Sequence, residues 1–136
     1  MILYRAGYAY QLAEDYAVAV PPALRPASHI ATEYISLTTV GLLILLRGYA
    51  WDGPSGPAID TPNFMRGSLV HDALYQLLRE GHLAPACREA ADMFLRDLCL
   101  EDGMWRIRAW WVYRGVRLGG GPSADPDNAK PILEAP

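Results

Sequence analysis

Along the first third of the chain apolar and polar positions alternate with a period of two, and then the spacing changes to that of helices. In residues 8–20, Tyr8, Tyr10 and Leu12 share one side of an extended chain, and Tyr16, Val18 and Val20 continue the alternation farther on. Pro21-Pro22 ends that segment, and the stretch through Pro26 to Ser28 reads as loop. Residues 32–39 are rich in β-branched side chains, a turn is signalled at Val40-Gly41, and 42–49 follows as a second strand, which together predict a hairpin. The second strand is apolar on both faces, so a central place or a cover of helices is expected, and it leads directly toward Asp52.

From Gly67 to Glu80 the spacing becomes helical, with Leu69, Val70, Leu74, Leu77 and Leu78 marking the apolar face. A second helix is expected over about 85–101, with Pro85 in its first turn and Gly103 just past its end. Its buried stripe is Ala91, Leu95, Leu98 and Cys99, and Asp92 lies close enough to that stripe to be partly buried. The short connection at 81–84 makes the two helices antiparallel neighbours and permits contact between Asp92 and His71. In residues 104–118, Trp105, Ala109, Val112 and Val116 fall at helical spacing with four arginines between them. Trp110 and Trp111 are expected in the core or a crevice, the alternative being an aromatic and arginine surface facing lipid or a subunit. The expected fold is α+β: an N-terminal antiparallel β-hairpin or small sheet packed on a C-terminal three-helix layer that contains a His-Asp helix pair.

Composition narrows the class. A chain of 136 residues with 51% hydrophobic content has material for one domain, read here as residues 1–118. Residues 119–136 have the Gly/Pro-rich composition of a tail, expected to dock on a partner. Fifteen acidic residues outnumber twelve basic ones, which argues against a nucleic-acid surface. The longest apolar run, residues 40–46, is far below the roughly twenty that a membrane helix needs, so no transmembrane segment is expected. Two cysteines and no signal-like start fit synthesis in a reducing cytoplasm. On one helix Cys87 and Cys99 would stand roughly 18 Å apart, too far to bridge.

The candidate chemistry gathers between Tyr49 and Tyr75. In Asp52-Gly53-Pro54-Ser55-Gly56-Pro57, prolines fix the backbone and glycines permit unusual dihedrals, so carbonyls and a carboxylate can be aimed at one point. Hard cations such as calcium take oxygen ligands of that kind. His71 and Tyr75, four apart, stack on one side of their helix, while Asp72 points about 100° away. A buried Asp92 needs a partner, and His71 on the facing helix supplies one. The bland alternative is a polar network that pins loop to helices. Asp60 is as well explained by a turn as by a ligand role, and His29 and His82 read as ordinary loop residues.

The motifs Asp-Gly-x-Ser-x-Pro at 52–57, Asp60, Phe64, His-Asp-x-x-Tyr at 71–75 and Ala-Asp-x-Phe-x-x-Asp at 91–97 resemble a phage and prophage domain family of unknown function. That likeness covers roughly residues 34–120. Over about fifty residues the chain is also distantly similar to bacterial and fungal phospholipase A2. The second resemblance implies a hydrolase with His71 as general base and Asp92 orienting it. It further implies Asp72, Asp52 and the Trp51 carbonyl as Ca2+ ligands, with Tyr75, Ser55 and Gly53 in support. The implied substrate is phospholipid of a cell envelope, the implied partners are other phage or virion proteins reached through the C-terminal tail, and no nucleic acid is involved. The implied location is the bacterial host cytoplasm at synthesis, with virion association afterwards. Two alternatives stay open: a non-catalytic tail or baseplate protein on the same scaffold, and a metal phosphohydrolase, which would need a further upstream histidine where only His29 is available.

Overall fold

A computed structural model of the chain describes residues 4–5, 10–51 and 62–125. Antiparallel strands occupy its N-terminal part and helices its C-terminal part, an α+β layout. Strands β1 (Tyr4–Arg5), β2 (Tyr10–Leu12) and β7 (Ala50–Trp51) form one sheet, with β2 in the middle. The other sheet holds β3 (Tyr16–Ala19), β4 (Ile30–Ala31), β5 (Ile35–Leu37) and β6 (Leu42–Leu45) in the order β3-β6-β5-β4.

The expected hairpin is β5 and β6. Its turn is closed by Gly41 N–H donating to the Thr38 carbonyl at 2.9 Å, and Leu42 N–H donates to Thr38 Oγ1 at 3.0 Å. Ile35 faces Leu45 and Leu37 faces Leu43, and all four are fully buried, so a single register places them in the core. β6 is an inner strand, as its apolar sequence requires, but only one of its faces is covered. Leu42 is 39% exposed and Ile44 is half-buried. Nor does β6 run directly toward Asp52. The chain turns at 46–48, held by Arg47 N–H donating to Asp15 Oδ1 at 2.7 Å, and crosses into the other sheet as β7, where Trp51 pairs with Tyr10.

Helix α1 (Pro62–Arg79) begins five residues earlier than its periodicity suggested, with Pro62 at the first position, where its missing N–H is no loss. It is buried nearly all round. Leu69, Val70, Leu74, Leu77 and Leu78 join Leu24, Ile35, Leu37, Leu43 and Leu45 in the main core. A 3-10 turn (Pro85–Cys87) introduces α2 (Arg88–Glu101), and α3 (Arg106–Gly119) and a short α4 (Gly121–Ala124) follow. α1 and α2 stop in the same way. Gly81 and Gly103 take φ of 78° and 94°, and the following residues, His82 and Met104, donate back to Leu77 and Cys99 at 2.8 and 2.9 Å. Each reversal sends the chain back along the helix it has just left. Gly67 lies against Leu95 and Cys99, whereas Tyr75 reaches Asp92 and Arg88, so α1 and α2 are antiparallel.

A second buried cluster, Phe64, Leu95, Cys99, Met104 and Ala109, joins α1 and α2 to α3, with Val112 and Val116 packed on it. The tryptophans depart from the core expectation. Trp110 and Trp111 are 50% and 65% exposed, as in the alternative of an aromatic and arginine surface, because α3 lies at the edge of the helix layer and turns its small Ala/Val side inward; Trp105, just before α3, is 84% exposed. Ala124 of α4 is buried in the main core, so the segment after residue 119 first packs on the chain itself, and residues 126–136 lie outside the described ones. Cys87 and Cys99 are unbridged. Among the described residues no helix is long and apolar enough to cross a membrane.

Candidate functional site

A nearly all-buried α1 can carry polar groups inward only if partners meet them. Two do: Ser68 and His71. Ser68 Oγ donates to the Met65 carbonyl at 3.0 Å and accepts from Trp51 Nε1 at 3.2 Å. This anchors the end of β7 on α1, and the Trp51 ring also packs on Tyr10 with centroids 5.4 Å apart.

One turn farther along α1, His71 Nε2 lies 2.7 Å from Asp92 Oδ1 on α2. The same oxygen accepts from Tyr75 Oη at 2.6 Å, and Asp92 Oδ2 accepts from Arg117 Nη1 of α3 at 2.9 Å. Asp92 has no exposed surface and His71 only 7%. Burial alone would push the Asp92 carboxyl upward, but the bonds from His71 and Tyr75, and then Arg117, outweigh it and hold the group below its ordinary 3.8. Burial and donation to that anion push the Tyr75 phenol well above its usual range, so it stays a hydrogen-bond donor. An ionised carboxylate only accepts, so Nε2 carries the ring hydrogen and the lone pair of the neutral imidazole falls on Nδ1. The His71 and Tyr75 rings, 4.1 Å apart at the centroids, limit each other's rotation.

Two arginines complete the network. Arg88 Nε donates to Tyr75 Oη at 3.2 Å, and its Nη2 donates to the carbonyls of Val116 and Arg117, both at 2.9 Å. Those carbonyls belong to the last turn of α3, where Val116 also accepts from Gly120 N–H at 2.8 Å, so the guanidinium caps one helix while orienting a side chain of another. Glu89 Oε2 lies 3.9 Å from Arg117 at the exposed rim. Gly120 leaves room for Tyr75: a Cβ there would sit 2.7 Å from Tyr75 Oη and 2.6 Å from the Val116 carbonyl.

Of the residues singled out in the sequence, His71, Asp92 and Tyr75 come together in one network. Asp72 is half-buried beside His71, and Trp51 is fixed through Ser68. Asp52, Gly53, Ser55 and Asp60 lie outside the described residues. The Asp72 carboxylate and the Trp51 carbonyl are oxygen donors, which in chemistry suit calcium. Among the described residues no group of three or more His, Cys, Asp or Glu could hold a metal ion. His29 and His82 are exposed. Just past the end of α2, Asp102 accepts two bonds from Arg66, both at 2.9 Å.

Arg88 and Arg117 were not found from the sequence. Arg88 stands four residues before Asp92, a spacing that places both on one side of α2, so its part in the network was readable. Arg117 was one of several arginines on α3, and nothing local separates it from Arg114. No protein-family model, curated protein or solved structure matches the chain.

Proposed function

We propose that this chain is a phage-associated hydrolase that cleaves phospholipid esters at the host envelope with calcium bound beside His71. The observation that carries the proposal is the pairing of His71 Nε2 with a fully buried, triply bonded Asp92, with Asp72 next in sequence. The motif likeness to phage domains and to phospholipase A2 supports the setting and the substrate class.

In this reading His71 Nδ1 takes a proton from water, and the water oxygen attacks the ester carbonyl carbon. Asp92 fixes the tautomer and stabilises the imidazolium that forms, while Tyr75 and Arg117 keep the carboxylate ionised. The proton on His71 then passes to the departing alkoxide, leaving a fatty acid and an alcohol. Asp72, Asp52 and the Trp51 carbonyl would hold calcium, which when bound supplies polarisation of the ester carbonyl.

A second reading is a non-catalytic virion tail or baseplate protein. It is favoured by the way the same bonds tie α1, α2 and α3 together and leave no buried side-chain nitrogen or oxygen unpaired among the described residues. Calcium titration calorimetry on the wild type and Asp72→Asn, with release of fatty acid from phosphatidylglycerol measured for both and for His71→Asn, separates the two. Saturable binding lost in Asp72→Asn, with hydrolysis lost in both variants, is the expected result. A wild type that binds no calcium and releases no fatty acid overturns the hydrolase and leaves the assembly role.

A further inference from the structure

Helix α3 is amphipathic the wrong way round for a helix that serves only the fold. The side packed on the domain is Ala109, Val112 and Val116, all small, while the outer side carries Ile107, Trp111 and Leu118 at 74%, 65% and 79% exposure. Those three fall within about 40° of one another on a helical projection, and Trp110 and Arg114 flank them. Large apolar groups left outside in this order mark a surface with something to bury.

Charge identifies what would cover it. Besides Arg117, which is bonded to Asp92, the helix carries Arg106, Arg108 and Arg114 and no acidic residue, in a chain whose net charge is −3. Arg114 lies 5.8 Å from the Trp110 ring centroid, so cation and aromatic present together. A second copy meeting the same face about a twofold axis would set arginines against arginines. An anionic lipid surface instead accepts tryptophan and leucine at its acyl boundary and arginines at its headgroups. We propose that the outer face of α3 docks the protein on anionic membranes, lying in the interface with Ile107, Trp111 and Leu118 inserted. The purpose of such docking rests on the proposed lipid hydrolysis, but the surface itself does not.

The test is co-sedimentation of the full chain with diether vesicles, which cannot be hydrolysed, made of phosphatidylglycerol with phosphatidylcholine or of phosphatidylcholine alone. The wild type is expected to pellet with the anionic vesicles and roughly tenfold or more weaker with the neutral ones. Trp111→Glu and Arg114→Glu, both at exposed positions, are each expected to weaken anionic binding by roughly tenfold while melting like the wild type. Tryptophan emission should shift to the blue on binding, since Trp110 and Trp111, two of the four indoles, lie on or beside this face. Absence of pelleting overturns the proposal, as does pelleting unchanged by either variant. A dimer in light scattering that Trp111→Glu dissolves, without lipid binding, assigns the face to a second copy instead. Pelleting without ester hydrolysis leaves the docking standing and removes the enzyme; hydrolysis of short monomeric esters without pelleting does the reverse.

Discussion

Replacing Asp92 by asparagine keeps the shape and removes the charge on which the network converges. Asparagine Oδ1 can still accept from His71 and Tyr75, but its amide hydrogens would then face Arg117 Nη1, donor against donor, across the 2.9 Å now bridged by Oδ2. Hydrogen bonds to a charged acceptor contribute roughly 1.5–3 kcal/mol each. Arg117 is about a quarter exposed and can turn to solvent or toward Glu89, so its share is screened. A loss of about 3–4 kcal/mol follows, a large part of the stability of a domain this size. The midpoint of thermal unfolding should fall by roughly 10–15 °C. Urea denaturation at neutral pH, with far-ultraviolet dichroism to show that the helices persist, measures it.

Acid gives a second reading of the same variant. The folded-state value of Asp92 lies below its ordinary 3.8, so its contribution is complete above that pH and is lost as the pH falls through the lowered value. The gap between wild type and Asp92→Asn should therefore be flat above pH 3.8 and close below it. A loss under about 1 kcal/mol at neutral pH, or a gap that does not change with acid, would refute the claim that an ionised Asp92 holds the three helices together.

Two other substitutable positions yield direct expectations. Gly120→Ala forces a methyl against Tyr75 Oη and the Val116 carbonyl, and should cost about 1–3 kcal/mol with a shift in tyrosine absorbance; an unchanged melt would contradict the close approach. Burial pushes the Cys99 thiol up to about 12, so a thiol reagent should titrate Cys87 in the native protein and reach Cys99 only with unfolding. Two fast thiols in the native state would show that the cluster around Cys99 opens.

What could be read from the chain follows the range of the interactions involved. The hairpin and its turn, the apolar face of α1 and the stripe of α2 are local patterns, and the short link at Gly81 was enough to bring His71 to Asp92. The early start of α1 was hidden because Phe64 and Met65 pack toward different clusters and do not form one face. The exposure of Trp110 and Trp111 was hidden because helical spacing gives two faces and does not say which one the protein covers. That choice went to alanine and valine, which let α3 approach α2 closely. Arg117 depended on where the last turn of α3 lies relative to α2, a distance of 25 residues along the chain.

The bonds that Arg88 makes to Val116 and Arg117 also act as a key for α3. A helix held only by alanine and valine could slide or rotate with little penalty, but a slip of one residue would turn it by about 100°. Such a slip would take Arg117 away from Asp92 and the final carbonyls away from Arg88 at once. The bonds of two half-buried arginines therefore aim the tryptophans on the opposite side, so that the direction of an outward-facing surface is set by contacts made on the inner side of the helix.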